Sequence, residues 1–224
     1  MKILAIESST EVASLALRWG DEVRSVRLPS PPAHSATLLP ALHALLAEAG
    51  ASLSALDRLA CGIGPGAFTG VRLACSVAQG LALGADLPVA SVCSLLVLAQ
   101  AQAASQVYVA MDARMGEVYA AQYRKTAQGW DTVLEPCCVA PEAMPGVEAG
   151  WFGAGTAFQA YAEQTARLQE RLSGIDAQAV PDARALLELA AYVEARDAAL
   201  LAPLYVRDRV ALTTAERLAA GGRA

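Results

Sequence analysis

Lysine is almost missing from this chain. Two of its 17 basic residues are lysine, the rest are arginine, and they lie scattered singly along 224 residues. No basic run exists, and the formal charge is -5. A chain that grips nucleic acid by itself shows a basic face, so any such contact here needs positive surface from elsewhere. Cysteine is present without a pattern. Cys61, Cys75, Cys93, Cys137 and Cys138 form no Cys-x-x-Cys pair. Their odd number and irregular spacing argue against a disulfide framework or a zinc knuckle, and a bond between adjacent Cys137 and Cys138 would be strained. They read as reduced thiols of a cytoplasmic protein. Histidine is scarce too. His34 and His43 are nine residues apart, on a loop and a helix, and are not one ligand pair. No His-Glu-x-x-His occurs, so zinc-protease chemistry has no support. No Gly-x-Ser-x-Gly elbow occurs either, although spacing alone leaves a Ser/His/Asp triad open. The most apolar stretch, LALGADLPVASVCSLLVLA, is broken by Asp86 and Pro88 before the ~20 residues that a membrane span needs. MKILAIESST reads as a strand, not a signal peptide.

What is there is apolar. Hydrophobic residues make up 55% of the chain and charged residues 17%, enough for a sizeable core. The length allows one large domain or two small ones. ILAIES (3–8), VASLALRWG (12–20) and EVRSVRL (22–28) predict three consecutive strands, the last two joined at Gly20-Asp21 as a hairpin. A proline-rich loop (29–35) follows. A helix is expected from about Thr37 to Ala49, with Pro40 near its first turn and Gly50 as its stop. Next come a strand into a glycine loop (56–64), a helix over about 70–84 ended by Gly84, a strand (88–92) and a helix (93–104).

At 107 the pattern restarts. Residues 106–139 read as three strands with an acidic turn and a glycine turn between them. Glu7 matches Asp112, each ending a first strand, and Glu11-Val12-Ala13 matches Glu117-Val118-Tyr119. WFGAGTAFQAYAEQTARL (151–168) then echoes GIGPGAFTGVRLACSVAQGL as strand, Gly-x-Gly and helix. Such repeats decide a fold. Two similar α/β lobes are expected, over 1–105 and 106–199. A last helix (182–197) leads to a C-terminal stretch, 200–224, expected to pack back on the first lobe.

The segment GIGPGAFTGVRLA (62–74) holds four glycines in nine residues. Strand, glycine turn and helix N-terminus together suit an anion. Yet no lysine follows Gly70, so the Walker pattern is absent, and Gly64-x-Gly66-x-x-x-Gly70 is one residue too long for the dinucleotide fingerprint. On the helix behind it Gly70, Ala74, Val77/Ala78 and Leu81 are small enough for a second helix to come close. The helix at 37–49 carries Leu38, Leu42, Leu45/Leu46 and Ala49, plus Leu39 on a second edge. Its apolar positions exceed one face. Either both helices simply cover the first sheet, or part of each meets another subunit. Arg72 is either a surface residue or an ionic contact to a partner or across a cleft. Glu7 and Asp112 are either turn acids or the two acids flanking a cleft. Ser8, Ser9 and Thr10 form a polar turn that suits phosphate or its own backbone.

MKILAIESSTEVASLAL, HSATLLPALHALLAEAG, GIGPGAFTGVRLACSVAQGLA and PLYVRDRVA together resemble the TsaB (YeaZ) family of bacterial tRNA threonylcarbamoyladenosine biosynthesis proteins. The likeness is dense over 1–100 and thins after 140 apart from PLYVR. It implies an α/β fold of two duplicated ribonuclease-H-like lobes, of the sugar kinase/heat-shock ATPase/actin superfamily. It also implies a partner. The catalytic paralogue, TsaD, transfers threonylcarbamoyl to N6 of an adenosine beside the anticodon, and carries a His-x-x-x-His metal pair. Placed here through LPVASV, that pair falls on Ser94 and Leu98, which are not metal ligands of the usual kind. The resemblance therefore implies no catalytic residue and no metal site. It puts the interface on the two N-terminal helices, at Leu38, Leu42, Leu45, Leu46, Gly70, Arg72, Ala74 and Ala78. Glu7, Ser9, Thr10 and Asp112 are the candidates for a vestigial nucleotide site, which superfamily membership alone does not place there.

Three readings stand. The first is a non-catalytic subunit that binds and activates TsaD. It would act with the ATPase subunit TsaE and form a homodimer when alone. It would meet tRNA only through the complex and have no membrane contact. It would bind no cofactor by itself, while the complex uses ATP and Mg. The second is a small-molecule phosphotransferase with Glu7 and Asp112 at its own ATP site. The third is a peptidase, which the missing histidines oppose.

Overall fold

The computed structural model describes residues 1–28 and 34–207. Most of the proline-rich loop, the stretch from 208 onward and its terminal Gly-Gly-Arg-Ala lie outside them. The expected first strands form as β1 (Ile3–Glu7), β2 (Ser14–Trp19) and β3 (Glu22–Arg27). Helix α1 (His34–Glu48) follows, then β4 (Arg58–Gly62), α2 (Phe68–Ala85), β5 (Val89–Val92) and α3 (Ser94–Gln100). The second half gives β6 (Gln106–Arg114), β7 (Glu117–Thr126), β8 (Gly129–Val139), β9 (Phe152–Ala154), two one-turn helices α4 (Ala157–Ala160) and α5 (Ala166–Gln169), β10 (Gly174–Asp176) and α6 (Ala183–Leu189).

The two sheets have one topology. The first runs β3-β2-β1-β4-β5 and the second β8-β7-β6-β9-β10. In each, the first strand pairs antiparallel with the second and parallel with the fourth. The duplication read from the sequence is a duplication of structure.

Strand alternation sorts the first core. Leu4 and Ile6 of β1, Leu15 and Leu17 of β2, and Leu59 and Cys61 of β4 share one cluster with α1 and α2. Ile3, Ala5, Ala16 and Ala60 point the other way, to α6. Alanines on that face let α6 sit close. α6 was expected inside the 106–199 lobe, yet its apolar face, Ala183, Leu186 and Leu187, packs with the first sheet. Its first amide, Ala183 N–H, donates to Ser14 Oγ at 2.9 Å. The Asp182 carboxylate caps it by accepting from Arg184 N–H at 2.8 Å. α3 lies between the lobes, with Val97 in the first sheet's cluster and Leu95 and Leu98 in the second's.

Several boundaries differ from expectation. α2 runs past Gly84 and ends where Asp86 takes a left-handed conformation, φ 53°. The helix expected over 182–197 stops at Leu189, because the chain turns back to pair Arg196 with Val89. The helix expected after Gly155 is two separate turns. Of the described helices, α2 alone has the length and apolarity to cross a membrane. It spends them on the first sheet, burying Val71, Ala74, Ala78 and Ala82.

Candidate functional site: the inter-lobe cleft and its glycine loop

The glycine loop is closed onto the turn after β1. A Cβ on Gly62 would lie 1.9 Å from Glu7 Oε2, one on Gly66 2.2 Å from the Ser9 carbonyl oxygen, and one on Gly70 1.9 Å from that of Ser8. Real contacts hold the approach. Ala67 N–H donates to Ser9 O at 2.7 Å, and Ser8 Oγ donates to Gly70 O at 2.8 Å. Gly64 takes φ +89°, where a side chain is strained. Gly66 and Gly70 therefore make a close junction of the loop and α2 with the backbone of 8–9, and Gly62 makes room for the Glu7 side chain. The loop's Ile63, Gly64 and Ala67 N–H groups are already bonded, to Val92 O, Ser94 Oγ and Ser9 O. Gly80 and Gly84, further along α2, would meet nothing within 4 Å.

Glu7 is enclosed rather than presented. It is 1% exposed. Its Oε1 accepts from Ser9 N–H at 2.8 Å and its Oε2 from Ser94 Oγ at 2.9 Å. The Ser9 hydroxyl is near enough to favour the charged form but makes no well-formed hydrogen bond. Burial outweighs these contacts and pushes the Glu7 carboxyl above its usual range. Ser94 thus joins Glu7, the glycine loop and the start of α3. Leu98, one turn on, is a core residue of the second lobe.

A carboxyl whose folded pKa is raised binds its proton more tightly in the folded state. Its contribution is full below the ordinary carboxylate pKa and is lost as pH rises through the raised value. Glu7→Gln removes that component. Urea unfolding of both proteins between about pH 4 and pH 8 should show the wild type losing stability relative to the variant as pH rises. Parallel pH profiles would mean that Glu7 is not buried as a titrating acid.

Between the lobes lies a cavity of about 870 Å³. Ser9, Thr10 and Asp112 line it; Glu7 does not. The expected nucleotide quartet is therefore split, with one member behind the wall. Asp112 lies on β6, two residues from its end, and its carboxylate is engaged. Oδ1 accepts from Tyr161 Oη at 2.9 Å and from Arg114 N–H at 2.8 Å, and Oδ2 from Arg114 Nη1 at 3.2 Å. Among the described residues no three His, Cys, Asp or Glu side chains cluster as a metal site would.

Most of the expected interface residues lie inside this chain. Leu38, Leu42, Leu45 and Leu46 are buried in this chain's own first core, as are Ala74 and Ala78, and Gly70 is buried against Ser8. The sheet and α2 together cover the wide apolar stripe of α1 that one sheet face alone would not. What α1 and α2 leave exposed is Leu39, Phe68 and Leu83. Among the described residues Arg72 faces no carboxylate. Its guanidinium lies 3.6 Å over the Phe68 ring, and its Nε donates to Tyr205 Oη at 2.8 Å.

Sequence reading missed Tyr205, Arg207 and Glu117. Leu204, Tyr205 and Arg207 belong to the PLYVR segment, which stood out in the sequence without a role. Leu204 N–H donates to Ile63 O at 2.8 Å, and Arg207 reaches Glu117 of the second lobe at 2.7 Å.

Comparison with known proteins agrees with this architecture. The family model for TsaD, tRNA N6-adenosine threonylcarbamoyltransferase, matches residues 30–220. The tRNA threonylcarbamoyladenosine biosynthesis protein TsaB of Haemophilus influenzae is 35% identical over 94% of this chain and 95% of its own. That of Escherichia coli is 38% identical over 72% of this chain and 74% of its own. The structure of YeaZ from Pseudomonas aeruginosa superposes with a TM-score of 0.83 at 39% identity, covering 91% of this chain and 99% of that one. The chain belongs to the TsaB (YeaZ) family, with the duplicated actin-like fold its two matching sheets display.

Proposed function

We propose that this chain is a non-catalytic subunit of the cytoplasmic machinery that forms N6-threonylcarbamoyladenosine in tRNA, and that it binds and activates the catalytic paralogue TsaD. One observation carries the reading. Ser94 and Leu98, at the positions the family likeness aligns with the paralogue's metal histidines, are buried structural residues, and Ser94 is committed to Glu7. Asp112 is likewise engaged, by Tyr161 and Arg114. The contact with TsaD, or with a second copy in the homodimer, uses the outer faces of α1 and α2, around Leu39 and Leu83. ATP and Mg are used by the assembly, with TsaE, rather than held by this subunit alone. The assembly supplies the tRNA contact, consistent with a chain of net charge -5.

The test is size-exclusion chromatography with light scattering, on the chain alone and mixed with TsaD of the same organism. The full set of subunits is also assayed for threonylcarbamoylation of tRNA. A heteromeric peak, with modification that disappears when this chain is left out, is expected. No complex and unchanged modification would overturn the reading. The cavity keeps a phosphotransferase in view, because Ser9, Thr10 and Asp112 do line it. That alternative requires Mg-ATP binding by the isolated chain and its loss in Asp112→Asn.

A further inference from the structure

The stretch Ala198–Arg207 crosses from one lobe to the other, and its two ends are held very differently. The near end belongs to the first core. Ala198 and Leu201 are buried there, and Gln79 Nε2 donates to Ala198 O at 2.9 Å. Beyond Leu201 the hold thins. Among the described residues, the Leu204 N–H bond to Ile63 O is the one backbone hydrogen bond donated between 202 and 207. Tyr205 rests its ring on Phe68, 6.3 Å between centroids, and accepts from Arg72. The far end is Arg207. Its Nε lies 2.7 Å from Glu117 Oε2, and its Nη2 donates to Ala113 O at 2.9 Å and more loosely to Arg114 O at 3.3 Å.

What Arg207 grips is the turn between β6 and β7. That turn sits in the left-handed region at Arg114, Met115 and Gly116. A second tie reaches the same turn from the first lobe, the ion pair of Glu11 with Arg114. Residues Leu204–Val206 meanwhile form a wall shared by two cavities. On one side is the inter-lobe cavity; on the other is a pocket of about 400 Å³ lined by Cys93, Tyr123 and Pro136.

We propose that residues 202–207 are a releasable latch between the lobes, with the Arg207–Glu117 ion pair as its catch. When the catch opens, Leu204–Val206 lift from the cleft and the two cavities join, while the Glu11–Arg114 pair and α3 still tie the lobes. The ion pair of the catch is partly exposed, with side chains 14% and 38% exposed, and is weakened by salt, though less than a fully exposed pair. The buried near end keeps the strap attached while it swings.

The chain carries its own reporters. Cys93 lies behind the strap. Cys138, on β8, donates to Glu117 Oε2 at 3.5 Å and so touches the catch itself, Cys137 follows Pro136 of the smaller pocket, and neither serves as a control; Cys61 and Cys75 are buried in the first core. Iodoacetamide labelling of the full chain, resolved cysteine by cysteine by mass spectrometry, therefore separates latch opening from unfolding. Arg207→Ala and Glu117→Gln should each raise the Cys93 rate roughly three- to tenfold, with Cys61 and Cys75 unchanged. The double variant should add nothing further, and 1 M NaCl should raise the wild-type rate in the same direction. An unchanged Cys93 rate in both variants would overturn the latch. So would a rise that Cys61 and Cys75 share, because that reports loss of the whole fold.

Discussion

Gly70→Ala should destabilise the protein by about 2–3 kcal/mol, although it places a better helix former inside α2. Alanine in a helix gains roughly 0.5–1 kcal/mol over glycine. Here the new Cβ would stand 1.9 Å from the carbonyl oxygen of Ser8. That oxygen is backbone and cannot rotate away. The turn after β1 must move, and it carries the Ser8 Oγ bond to Gly70 O and the Ser9 amide bond to Glu7. Gly80 on the same helix is the control, since a Cβ there meets nothing within 4 Å. Gly80→Ala should raise stability slightly. For a chain of this size the melting temperature of Gly70→Ala should fall by roughly 5–10 °C. Thermal unfolding of the two variants side by side is the measurement. Equal melting temperatures would mean that the glycine loop does not dock on residues 8–9.

The duplication was legible because it is written in local signals that recur. An acid stands at or near the end of the first strand of each half, and Gly-x-Gly stands at the end of the fourth. Gly155 even repeats the close approach, its Cβ position lying 2.3 Å from Ala110 O. Strand pairing in each half then follows from hairpin turns and short crossovers. The fate of Glu7 was not legible. A carboxylate at a strand end next to a glycine loop has the local look of a cleft acid. Its partner Ser94 is 87 residues away, and no local pattern announces a contact of that separation. The same reason hid the course of the strap. Ala198 and Leu201 fill the first core only because the chain reverses after α6, and the helical periodicity of 182–197 gave no sign of that reversal.

The leucines of α1 are the sharpest case. Counting apolar positions on the helix was sound, and the surplus over one face is real. What the count could not supply is how many elements cover it. Leu42 is 4% exposed and Leu39 is 49% exposed. Three residues apart on one helix, they should behave oppositely. Leu42→Glu forces a carboxylate into the first core, the cluster that also holds Leu4, Leu15 and Leu45. It should cost at least about 4 kcal/mol, from lost burial and an unpaired charge together. The expected outcome is aggregation or an unfolded chain, so it cannot report on assembly. Leu39→Glu should leave stability within about 0.5 kcal/mol of the parent. It should also weaken association with TsaD, or with a second copy, by roughly tenfold or more if α1 lies in the contact. Circular dichroism melts and light scattering of both variants decide the matter. A well-folded Leu42→Glu would mean that α1 does not lie on the first sheet as described. A folded Leu39→Glu that assembles with parental affinity would remove the outer face of α1 from the proposed interface. The contact would then have to be sought around Leu83 and Phe68 of α2. Phe68 stacks with Arg72 and Tyr205, so an interface there would bear directly on the strap between the lobes.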